Sequence, residues 1–119
     1  MLSMSTSEIA TVLAWHDALN ARDYDTLVKL SSDDIEIATA DRAAQGHQAL
    51  LDWAQEDVTA EVGRLYVHDG VVVAEQTVNG APAASAFRVV HDQVTSLFLH
   101  ESLDAALAAT GLTEKDLDA

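Results

Sequence analysis

The sequence contains no cysteine, one proline and only five glycines. Without thiols there is no cysteine nucleophile, no disulfide scaffold and no Cys-type zinc site. So little proline and glycine excludes collagen-like and low-complexity chains. Cations are scarce as well: six Lys and Arg stand against 20 Asp and Glu, a formal net charge of -14. A surface of that sign repels phosphate backbones and anionic lipid, which disfavours nucleic acid and membranes as partners. No apolar run approaches the length of a membrane span, and no basic flank with an apolar signal core opens the chain. The expectation is a soluble, cytoplasmic protein. What is present is 119 residues, read as a single domain over 1–119 with room for one hydrophobic core.

Ser5 and Glu8 have capping-box spacing at the head of a helix that reaches about Arg22. Ile9, Val12, Leu13, Trp15 and Leu19 recur at three- and four-residue steps and predict one buried stripe. Asp23 can cap a short second helix carrying Leu27, Val28 and Leu30, closed by Asp33-Asp34. Ile35-Glu36-Ile37-Ala38-Thr39 alternates as a strand. A polar loop with Asp41 follows, and Gly46 opens a third helix in which Leu50, Trp53 and Ala54 share a face. The second half predicts four strands, over 64–68, 71–78, 83–90 and 94–101, joined by turns at Asp69-Gly70, Asn79-Gly80 and His91-Asp92-Gln93. Ser102 then caps a last helix through Ala108, with Gly111 as its stop.

Turn positions set the expected register. Asp69-Gly70 pairs His68 with Val71 and, counting outward, Arg64 with Glu75 as a cross-strand ion pair. A last turn at Asp92-Gln93 sets Arg88 opposite Leu97, Ala86 opposite Leu99 and Ala84 opposite Glu101. One face then carries Val72, Ala74, Gln76, Val78, Ala86, Arg88, Leu97, Leu99 and Glu101. The other carries Tyr66, Val71, Val73, Phe87, Val89 and Phe98. Both are largely apolar, whereas an antiparallel sheet in a small monomer usually leaves one face wet. The helices cover one face. A second copy is the expected cover for the other, in a homodimer with Val73, Phe87 and Phe98 in or near the interface.

The order of these elements resembles the nuclear transport factor 2-like superfamily, and specifically its SnoaL-like branch. The resemblance is carried by 14–34 (AWHDALNARDYDTLVKLSSDD), the strand 35–39, 46–53 (GHQALLDW), the strands 70–78 and 85–94, and 102–112 (SLDAALAATGL). It implies an α+β cone: a curved antiparallel sheet wrapped around the N-terminal helices, enclosing a pocket and often forming a homodimer through its outer face. That fold hosts unrelated activities, so chemistry has to come from the residues. Ketosteroid isomerase, similar in layout, uses an Asp base with a Tyr and a protonated Asp in its oxyanion hole. The resemblance puts those positions on Thr39, on Trp15 and near Ala84 or Ala86. The Asp-Arg-Asp trio of limonene-1,2-epoxide hydrolase falls on Val78, Gln76 and Leu99, with its supporting Tyr and Asn on Ile37 and Thr39. Neither catalytic set survives in this chain.

Register and resemblance together predict an inward face of Trp15, Thr39, Trp53, Gln76, Val78, Leu97 and Leu99, with Asp41, Arg88 and Glu101 toward its ends. Apolar walls with few polar groups suit a small, mostly apolar ligand, oriented by Thr39 and Gln76. Arg88, if aimed inward, would add a carboxylate site. Asp41 and Glu101 are the acid–base pair available, since apolar walls raise a carboxylate's pKa into a useful range. The plain alternatives are that the Trp and Leu residues are core, Asp41 a solvated turn residue and Glu101 a helix-dipole partner. The histidines His16, His47, His68, His91 and His100 lack metal spacing, and His16 reads as a surface helical residue. No nucleophile elbow, phosphate loop or dinucleotide fingerprint is present, and no metal or cofactor is expected. Two functions remain: a pocket protein that binds, with or without transforming, a small, mostly apolar metabolite, or a non-catalytic dimerisation or accessory domain whose cavity its own side chains fill. An open cavity of roughly several hundred Å³ favours the first, and a filled interior the second.

Overall fold

The computed structural model describes residues 4–39, 41–55 and 58–118; the Ser5 side chain, and with it the expected capping box, lies outside them. Helix α1 (Met4–Asn20) buries Ile9, Val12, Trp15 and Leu19, together with His16 and Ala18. Leu13, expected on the same stripe, is instead 40% exposed. Successive helical residues turn by about 100°, which centres the buried arc on Val12, Trp15 and Leu19 and carries Leu13 past its edge. Asp23 caps α2 (Tyr24–Lys29) by accepting from the Thr26 N–H and hydroxyl, as its position predicts. Helix α3 (His47–Ala54) follows Gly46, whose φ of 98° is open to glycine and strained for other residues.

Six strands form one curved sheet in the order β2-β1-β6-β5-β4-β3. They are β1 (Ser31–Ala38), β2 (Ala43–Gln45), β3 (Ala60–His68), β4 (Val71–Val78), β5 (Ala81–Val90) and β6 (Gln93–His100). Strand β1 starts before the alternating segment, so Asp33-Asp34 lie within it rather than closing α2. It runs parallel to β6, while the other pairs are antiparallel. Strand β2 occupies part of the expected polar loop: its three exposed residues pair with β1, too few for a periodic signal.

All three hairpin turns have positive φ at both central residues, at Asp69-Gly70, Asn79-Gly80 and His91-Asp92, the geometry that matches strand twist. The first sets His68 opposite Val71, as counted from sequence. A bulge between Val62 and Leu65 interrupts that pairing, and Glu75 reaches across it. Its carboxylate accepts from Arg64 Nε and Nη2, both at 3.0 Å, and from the Arg64 backbone N–H at 3.3 Å. The expected ion pair therefore also serves a bulge N–H, and Gly63 leaves it room: a Cβ there would sit 2.9 Å from Glu75 Oε1.

The last hairpin corrects the expected register. Its turn is His91-Asp92, one residue earlier than anticipated, and a bulge separates Arg88 from Val89. Phe87 therefore pairs with Leu97, Arg88 with Ser96 and Ala86 with Phe98. Because side chains alternate, this slip exchanges the faces of β5: Phe87 and Val89 point inward, while Ala86 and Arg88 point outward. Glu101 lies beyond the end of β6 and is exposed.

Helix α1 packs on the inner face, where Trp15, Leu19, Val72, Ala74, Phe87, Val89 and Leu97 join one core with Ile35, Ile37 and Leu50. The outer face has its own cover. Helix α4 (Leu103–Thr110), capped by Ser102 and ended by Gly111, packs with Leu112 and Leu117 over Tyr66, Val73, Ala84 and Ala86. Phe87 at 1% exposure and Val73 at 0% are thus buried within the chain and unavailable to the interface expected for them. Phe98 at 39% and Val90 at 43% remain exposed. No helix among the described residues is long and apolar enough to cross a membrane.

Candidate functional site

The inner face holds a buried polar chain. His16, one turn after Val12 on α1, has Nδ1 2.8 Å from the Val12 carbonyl. A carbonyl only accepts, so Nδ1 carries the proton and Nε2 presents its lone pair. Gln76 on β4 donates its amide to that lone pair at 2.8 Å, and the Ser85 hydroxyl on β5 donates to Gln76 Oε1 at 2.8 Å. The three residues are 2%, 5% and 1% exposed, and burial lowers the His16 pKa, with the Val12 carbonyl and Asp17 partly opposing it. The imidazole is neutral and structural, rather than a surface group. Its signal lies in the spacing of Ile9, Val12, His16 and Leu19, which follows the buried ridge.

Trp15 is held just as firmly. Its indole N–H donates to Ser31 Oγ at 3.0 Å, and Ser31 passes its own proton to the Leu27 carbonyl at 2.8 Å. Trp15 stacks on Trp53 at 5.9 Å between centroids and meets the Phe87 edge at 5.3 Å. Its exposure is zero, so no water-sized void touches it. Leu97, at 1%, is equally enclosed. Three of the anticipated wall residues, Trp15, Gln76 and Leu97, are therefore packed interior.

Space remains at the edge of the inner face. A hollow of about 240 Å³ between β1, β2 and α3 is bounded by Ile37, Thr39, Ala44, Ala49 and Trp53, with Arg42 and Asp52 also lining it. Trp53 is half-buried there. The Thr39 oxygen accepts from the Asp41 and Arg42 backbone N–H groups at 3.3 and 3.2 Å, leaving its proton to donate. A neighbouring groove of about 390 Å³ is lined by Thr39, Phe98, Leu99, His100 and Glu101. Asp41, exposed in the loop after β1, lines neither space, so the two candidate acid–base residues share no hollow. Arg88 is exposed on the outer face and lines neither space. Arg42 was missed in the sequence because only tertiary structure folds its loop against α3. Among the described residues, no group of three or more His, Asp or Glu side chains is arranged to hold a metal ion.

The SnoaL-like domain family pattern matches residues 12–100 of this chain. No curated protein matches it. Solved structures share the fold at low identity. An NTF2-like protein of unknown function from Cytophaga hutchinsonii is 16% identical with a TM-score of 0.73, covering 84% of this chain and 93% of that one. Bal32a, from a soil-derived mobile gene cassette, is 17% identical with a TM-score of 0.75, covering 82% and 91%. A candidate polyketide cyclase from Xanthomonas campestris pv. campestris is 18% identical with a TM-score of 0.73, covering 89% and 98%. With the family pattern spanning β1 through β6 and most of α1, this chain belongs to the SnoaL-like domain family, on the NTF2-like fold.

Proposed function

We propose that this chain binds a small, mostly apolar molecule in the edge hollow, stacked on Trp53, without using Asp41 and Glu101 as an acid–base pair. The carrying observation is the half-buried Trp53 beside that hollow of about 240 Å³. The volume lies below the usual range for drug-sized ligands, which favours a small metabolite. Stacking on the indole supplies most of the contact area. The Thr39 proton and the Arg42 guanidinium supply donors for one or two ligand oxygens. Gln76, expected to orient the ligand, is committed to His16 and Ser85, so this reading moves the polar contacts to Thr39 and Arg42.

Tryptophan fluorescence titration with a neutral monoterpenoid alcohol tests the reading. Saturable quenching is expected in the wild type, with loss in Ala44→Leu, which fills the hollow from an exposed strand position. An equal response in Ala44→Leu, or no saturable response in the wild type, refutes it. The filled interior around Trp15 favours a second reading, a non-catalytic accessory or dimerisation domain. Light scattering that gives a dimer dissociated by Phe98→Lys, together with a blank titration, would support that reading.

A further inference from the structure

We propose a second ligand site on the outer face of the sheet, beneath α4, for an elongated apolar carboxylate with an oxygen function at its far end. A hollow of about 260 Å³ lies there, on the opposite side of the sheet from Trp53. Its floor is the cross-strand pair Ala86 and Phe98, with Val71 beside it and Ala109 of α4 above. The Phe98 ring is 39% exposed, so apolar surface lies open in the hollow.

Polar groups stand at the two ends. Arg88 and Ser96 pair across β5 and β6 at one end, and both line the hollow. Among the described residues the Arg88 guanidinium has no ion pair, although the chain carries a net charge of -14. His100, four residues beyond Ser96 on the same strand, lines the other end. Its Nε2 is buried and has no hydrogen-bond partner, a condition that native proteins rarely leave unmet. Four strand residues separate the two ends by about 13 Å along the backbone. The Arg88 and His100 side chains are long enough to close part of that span around a ligand lying between them.

This arrangement dictates the ligand's chemistry. Arg88 offers a planar fork of donors suited to a carboxylate. Ala86 and Phe98 accept a flat apolar body. His100 lines the hollow, and a turn of its ring that brings Nε2 out of its buried position lets that nitrogen donate to or accept from a ligand hydroxyl, according to tautomer. 3-(4-Hydroxyphenyl)propanoate carries all three features in that order and serves as the probe. The register counted from sequence puts Arg88 on the inward face, and the His91-Asp92 turn with the bulge at Arg88/Val89 brings it to this one.

Isothermal titration calorimetry on the full chain, with light scattering in parallel, tests the assignment. Saturable binding of the probe is expected. Affinity should fall about tenfold or more when the carboxylate becomes an amide or Arg88 becomes Gln. Loss of the phenolic hydroxyl, in 3-phenylpropanoate, should weaken binding to wild type but not to His100→Phe. Ala109→Trp, at an exposed position of α4, should block the hollow and abolish binding. Trp53→Phe should leave the affinity unchanged, which separates this site from the edge hollow. No saturable binding, equal affinity for acid and amide, or full affinity in Ala109→Trp would overturn the assignment. So would a dimer seated over Phe98 that excludes the probe.

Discussion

Replacing His16 with glutamine probes the buried chain through its pH dependence. In the folded protein the neutral imidazole accepts from Gln76 and donates to Val12, and burial holds its pKa below the ordinary value. In the unfolded chain the same group titrates near about 6.5. The native state therefore refuses a proton that the unfolded state accepts, and stability is lost as pH falls below that value. The slope approaches about 1.4 kcal/mol per pH unit once the unfolded imidazole is charged. Between pH 7 and 5 the loss reaches at most about 2 kcal/mol, the limit in which native His16 takes up no proton. Gln at this position presents an oxygen to the Gln76 amide without titrating. At pH 7 the variant is expected to be less stable by about 1–3 kcal/mol, because it forfeits ring contacts with Trp15 and Phe87. That gap should narrow as pH falls. Urea unfolding at half-unit steps from pH 8 to 5, followed by tryptophan fluorescence, gives both curves. Other titrating groups are common to the two proteins and cancel in the difference. A gap that stays constant over this range would refute the neutral, buried assignment of His16.

Trp15→Ala removes a wholly buried ring and orphans Ser31 Oγ as an acceptor, and should cost about 3–5 kcal/mol or prevent folding, measured by denaturant midpoint. Gly111→Ala meets no atom within 4 Å of the new Cβ, so its cost comes from the φ of 76° alone: about 1–2 kcal/mol, read from thermal unfolding. Glu75→Gln should destabilise modestly, with the loss shrinking in high salt, because the Arg64 pair is solvent-exposed while the bulge N–H keeps an amide oxygen. Ketosteroid isomerisation and epoxide hydrolysis should both stay at the buffer rate: the Thr39 hydroxyl is no base, and Val78 and Leu99 cannot activate water. Turnover well above buffer in either assay would defeat the residue-by-residue transfer.

Local chemistry is legible in one dimension, and several elements follow from it. The stripe of α1, the cap at Asp23, the Asp69-Gly70 turn with its Arg64–Glu75 pair, and the helix from Ser102 to Gly111 rest on neighbouring residues and short-range pairing. These features, in their order along the chain, also carry the family resemblance. Strand β2 and the parallel seating of β1 on β6 are long-range pairings that no local period announces. The greatest divergence came from a single bulge. A slip of one residue after Arg88 moved that side chain outward and Phe87 inward, filling the space a ligand was expected to occupy. His16, Gln76 and Ser85 come from three separate elements, and only their convergence makes each of them buriable. The sequence by itself determined the helices and the turns at Asp69-Gly70 and Asn79-Gly80, because those depend on contacts between near neighbours, and the net acidity, which is composition alone. Tertiary structure alone decided which face each strand turns to the core, and hence where open space remains, because that depends on register and on packing across the whole sheet.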